Sequence, residues 1–76
     1  MMRGGLIMLH RDSDRITVQG HMGTWYVIDE MQWDGHTVFL LEHEDYGQDV
    51  PGLIVRDDGF LVLSGVHNGF DELADL

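Results

Sequence analysis

Two Asp-Gly pairs, Asp34-Gly35 and Asp58-Gly59, each stand between runs of β-branched, aliphatic and aromatic residues. The first separates "TWYVIDEMQW" from "HTVFLLEHE", and the second divides "LIVRDDGFLVL". A tight turn between paired strands needs backbone at positive φ, which glycine adopts without steric cost and aspartate tolerates. An Asp-Gly pair in this setting is therefore among the strongest short-range hairpin signals. Two antiparallel hairpins follow. Turns of two residues, or of three with a bulge, fit equally well, and that choice decides which side chains face each other.

The rest of the chain repeats the pattern. "GLIMLHRDSDRITVQG" reads as two short strands about the polar turn "RDSD". Pro51-Gly52 marks a loop or the entry to a strand, since proline cannot donate to a ladder. The tail "HNGFDELADL" changes period: Asn68-Gly69 turns, Asp71 is placed to cap, and Phe70, Leu73 and Leu76 recur at threes. That segment is too short to be helical alone and must dock on the sheet. Apolar residues fall on both faces of the central hairpin, with Trp25, Val27 and Leu40 grouped on one and Tyr26, Ile28 and Leu41 on the other. A one-sided sheet would alternate more cleanly. The expected fold is mainly β (small α+β): an antiparallel meander of five to six strands, forming a curled sheet or partly open barrel with a short C-terminal helix.

Seventy-six residues make one domain, spanning 1–76, with a thin core: a chain this short buries only about 60% of the surface its unfolded form exposes. No cysteine is available for disulfides or a thiolate zinc site. Four basic residues face fourteen acidic ones, and lysine is absent. Arg3, Arg11 and Arg15 lie near the start, so from Ile16 onward one positive charge meets twelve negative ones. Direct binding of nucleic acid or of an anionic membrane is disfavoured, because both need clustered Lys and Arg. "LIML" (6–9) is too short for a signal-peptide core or a membrane helix, which makes the cytoplasm the expected location. As an apolar edge strand it also invites pairing with a second copy of the chain, a homodimer.

The densest group of chemical side chains is "LLEHEDYGQD" (40–49). In a regular strand Glu42 and Glu44 point one way and His43 the other, so the three cannot chelate one ion. The spacing matches neither a zinc helix nor a calcium loop, and no metal or cofactor is expected. Fourteen acids guarantee carboxylate pairs, so a pair alone says nothing about glycoside chemistry. Ser64 with His67 lacks the strained elbow of a nucleophile, and no lysine exists for a Schiff base or a phosphate loop. The five histidines are scattered and read as turn or surface residues. Core packing is the expected fate of Trp25 and Tyr26. Trp33, beside a turn, and Tyr46, in an acidic loop, are harder to bury and mark a contact surface together with Glu42 and Glu44.

Through "GHMGTWYVIDE", "FLLEHEDYG", "LIVRDDGFLVL" and "VHNGFDEL" the chain resembles a large polyvalent protein-associated domain, the twenty-eighth of that numbered series, over about residues 20–73. The resemblance implies a setting in proteins of phages and conjugative elements. It implies no activity and carries no catalytic residue across. The functional expectation is a non-enzymatic module that binds another protein. The alternative is an acidic mimic of DNA that inhibits a host nuclease or DNA-binding protein, and the least favoured is a metal-assisted hydrolase using Glu42, Glu44 and a neighbouring histidine.

Overall fold

A computed structural model of the protein describes residues 15–76. Five strands follow in order: β1 (Arg15–Val18), β2 (His21–Trp33), β3 (His36–His43), β4 (Gly52–Arg56) and β5 (Leu61–Val66). They form one antiparallel sheet in sequential order, open rather than closed into a barrel. A 3-10 helix, η1 (Gly69–Asp75), ends the chain. The expected "LIML" strand, and the homodimer proposed through it, lie outside the described residues.

The two Asp-Gly hairpins use different turns. Trp33 pairs directly with His36, leaving a two-residue loop in which Asp34 and Gly35 have φ of 52° and 80°. Both values are positive, as the hand of the strand twist demands. At the second, Arg56 N–H donates to Phe60 O over 2.8 Å and Gly59 N–H to Arg56 O over 3.0 Å. That is a three-residue loop whose last member, Gly59, takes φ 93°.

Ile28 is an extra residue in β2: Val27 pairs with Leu41, but Asp29 pairs with Leu40. A single inserted residue reverses which face every later side chain takes. Trp25 and Val27 therefore share a face with Phe39 and Leu41, while Trp33 crosses to the face of Val38. The expected grouping of Leu40 with Trp25, and of Leu41 with Tyr26, is reversed for this reason. β5 carries two further irregularities, one of them at Gly65, which takes φ 73°. Such bulges twist an edge strand away from pairing with other chains.

Both faces carry a core. Ile16, Val18, Trp25, Phe39, Leu41, Leu53 and Val55 form one cluster, with Val50 of the β3–β4 loop packed on it. Val38, Ile54, Val66 and Leu73 form the other, covered by Phe70 of η1. Fully burying side chains of this size is worth about 1.5–3 kcal/mol each relative to exposure. The threefold spacing in the tail suits a 3-10 helix, where residues three apart eclipse. Leu73 is buried by it, whereas Leu76 stays 64% exposed. Asp71 does not cap η1. Instead the Glu72 carboxylate accepts from the backbone N–H groups of Asn68 (2.6 Å) and His67 (2.5 Å), which holds it below the usual carboxylate range.

Candidate functional site

β3 ends at His43, and its last residues divide between the two faces. Glu44 N–H donates to Thr24 O over 2.9 Å, continuing the ladder that pairs Trp25 with His43 and Tyr26 with Glu42. The backbone then folds tightly: Gly47 N–H donates to His43 O over 2.9 Å, with Gly47 at φ 52°. Residues 40–49 thus finish the core with Leu40 and Leu41 and deliver Tyr46 on a turn.

On one face Glu44 accepts from the Tyr26 hydroxyl over 3.1 Å and from the Arg15 guanidinium, which lies 5.8 Å from the centre of the Tyr26 ring. Tyr26 is therefore a partly exposed polar partner, not the core residue expected. Its neighbour across the strands is Glu42, which borders a polar hollow of about 290 Å³ with Gln48 and His67.

On the other face sits His43, only 9% exposed, so the expectation of a surface histidine fails here. Phe39, Leu41 and His43 alternate along β3, which places the imidazole at the rim of the apolar cluster. Its Nδ1 accepts from the N–H of Asp45 (3.0 Å) and of Tyr46 (3.4 Å), so the ring proton belongs on Nε2. Its ring meets Trp25 edge-on at 4.9 Å between centres and lies 5.0 Å from the ring of Tyr46. Trp25 in turn meets His21 edge-on at 6.4 Å. The four rings His21, Trp25, His43 and Tyr46 make a continuous row across β2, β3 and the loop. They wall a groove of about 380 Å³ whose floor is Val50, Pro51 and Leu53. Tyr46, at its rim, is 60% exposed.

The expected contact residues are thus dispersed. Glu42 and Glu44 stand together on the Tyr26 face, and Tyr46 lies on the His43 face. Trp33 is half-buried against the Val38 cluster at the far end of β3, seven residue steps or roughly 23 Å from His43. Among the described residues no three histidine or acidic side chains converge as a metal ion would require. Nothing in the sequence alone points to His21 or to the groove floor. The alternation of Phe39, Leu41 and His43 was the one available signal.

The family model for large polyvalent protein-associated domain 18 matches residues 6–75. The chain belongs to that family. The series number is eighteen, not the twenty-eight expected, and the match begins at residue 6 rather than near residue 20. No curated protein and no solved structure matches the chain. Among the described residues of the domain no helix is long and apolar enough to cross a membrane.

Proposed function

We propose that this polyvalent protein-associated domain is a non-enzymatic accessory module that holds another protein, working in the cytoplasm of a cell that carries a phage or conjugative element. One observation carries the reading. Tyr46 is 60% exposed yet held in place by the ring of His43 5.0 Å away, beside an apolar groove. An aromatic side chain packed on a neighbouring ring at the edge of an apolar groove is a usual anchor of a protein contact, because little conformational freedom is lost when it is covered.

The placement of acids favours this over mimicry of DNA. Asp34, Asp57 and Asp58 occupy the two hairpin turns at one end of the sheet, whereas Glu44, Asp45 and Asp49 lie beyond the other end of β3. A mimic needs carboxylates in a row at phosphate spacing along one face.

Replacing Tyr46 by the photo-crosslinker p-benzoylphenylalanine tests the reading in cells. A discrete adduct to another protein is expected from position 46 and not from position 26, on the opposite face. No adduct from either position would count against the module, and equal labelling from both would count against Tyr46 as its anchor.

A further inference from the structure

We infer that the groove walled by His21, Trp25, His43 and Tyr46 receives an arginine- or lysine-bearing segment of the partner polypeptide. The inference rests on the interaction-module reading and names the chemistry of its partner.

Three observations converge on a cationic occupant. The first is the row of rings, spaced 6.4, 4.9 and 5.0 Å between neighbouring centres. Of these rings Tyr46, 60% exposed, offers the aromatic face that attracts a guanidinium or ammonium group, and an apolar floor suits the aliphatic stem of the same side chain. The second is charge. The chain is formally −10. Asp45 and Asp49 flank Tyr46 and are exposed, and their carboxylates have no cationic partner among the described residues. The two described arginines are engaged elsewhere, Arg15 with Glu44 and Arg56 with Asp58. No lysine competes for the groove. The third is an unspent donor. Trp25 is 5% exposed, and its indole N–H has no acceptor among the described residues. Buried donors are normally paired, and the main-chain carbonyl of a bound segment can supply the missing acceptor once the rings beside Trp25 shift to admit it.

The same features weigh against an acidic or a purely apolar occupant. An acidic segment meets Asp45 and Asp49 with like charge. An apolar one leaves the charge of Asp45 and Asp49 beside the groove uncompensated.

The test uses the full chain and a peptide of alternating arginine and alanine as probe, with alternating glutamine and alanine as the uncharged control. The Trp25 indole N–H signal in a proton–nitrogen correlation spectrum, distinguished from that of Trp33 by Trp33→Phe, is the readout. The arginine peptide is expected to move this signal and the His43 ring signals saturably, and less so as salt rises. Tyr46→Ala, and separately Asp45→Asn with Asp49→Asn, should weaken binding by about tenfold, whereas Tyr46→Phe should keep it. Tyr26→Ala, on the other face, should leave binding unchanged. An unmoved Trp25 signal, equal binding of the glutamine peptide, or an undiminished response in Tyr46→Ala overturns the assignment. Binding that instead shifts Tyr26 and Glu44 overturns the groove but leaves a protein-binding module standing.

Discussion

The ring of His43 occupies the space that a side chain on Gly23 would need. A Cβ at residue 23 would stand 3.0 Å from Cε1 of His43 and closer still to Nε2, and Gly23 itself has φ 89°. Glycine is required here twice over, for backbone conformation and for room. The consequence reaches the groove, because His43 can lie against Trp25 and accept from the Asp45 and Tyr46 amides only while residue 23 presents bare backbone.

Gly23→Ala is therefore expected to destabilise the fold by about 1–3 kcal/mol from backbone strain alone, with the steric clash added. Gly35→Ala is the control, since φ there is 80° but nothing lies within 4 Å of the added methyl group. Urea unfolding should rank Gly23→Ala as the costlier change. The cost of Gly23→Ala should also shrink in a His43→Ala background, by a coupling of about 0.5–3 kcal/mol. Additivity of the two changes would show that the ring and the glycine do not compete for space.

Ile28 is half exposed, yet its presence in the chain decides the face of everything from Asp29 to Trp33. Substitution and deletion should thus separate. Ile28→Ala keeps the residue count and removes mostly solvated surface, so stability should change by only about 0.5 kcal/mol. Deleting Ile28 turns Met31 and Trp33 toward the wrong face, or else slips Trp25 and Val27 out of theirs. Loss of cooperative unfolding, or a cost of roughly 3 kcal/mol or more, is expected from circular dichroism with denaturant. A deletion variant as stable as Ile28→Ala would mean that β2 and β3 re-pair without penalty.

Ile28 also marks where the sequence stops being readable. Both hairpins follow from Asp34-Gly35 and Asp58-Gly59, because the positive φ of a tight turn is a local demand that those residues meet locally. The bulges are different. Val27, Ile28 and Asp29 carry no signal that one of them is supernumerary; the insertion is settled by Val27 meeting Leu41 and Trp33 meeting the Val38 cluster, contacts made across strands. Tyr26 shows the same limit. Its propensity suits a core, but on its face of the sheet, beside Arg15, its hydroxyl finds the Glu44 carboxylate to donate to. The groove was least legible of all. Its lining comes from β2, β3, the following loop, β4 and β5, so only the assembled sheet brings His21, Tyr46, Leu53 and Ser64 together. For His43 a signal exists in its alternation with Leu41 and Phe39, yet histidine's polarity argues for the surface, and the core face wins because its ring packs on Trp25.

The second hairpin gives a pH prediction with a definite sign. Asp58 accepts from Arg56 Nε over 3.0 Å and from Arg56 Nη2, and also from the Phe60 N–H over 3.2 Å, while the guanidinium lies 4.7 Å from the centre of the Phe60 ring. The Arg56 hydrogen bonds, and after them the Phe60 amide, pull the Asp58 carboxyl down to about 2 from its ordinary 3.8, against a smaller opposing effect of desolvation. A carboxyl held lower in the folded state than in the unfolded one adds stability that is complete above the ordinary value. That contribution fades as pH falls toward the folded value. Asp58→Asn should accordingly be less stable than the parent chain at neutral pH. The gap should narrow from about pH 4 downward and close near pH 2. Because the ion pair is open to solvent, added salt should also narrow the gap at neutral pH. Glu72, lowered by its own backbone hydrogen bonds, contributes to the acid limb of both proteins alike and cancels in the difference. Unfolding midpoints in urea, followed by tryptophan fluorescence across the acid range, measure it. A gap that stayed constant from neutral pH to pH 2 would assign the role of Asp58 to an uncharged effect of its side chain on the turn, and not to its charge on Arg56.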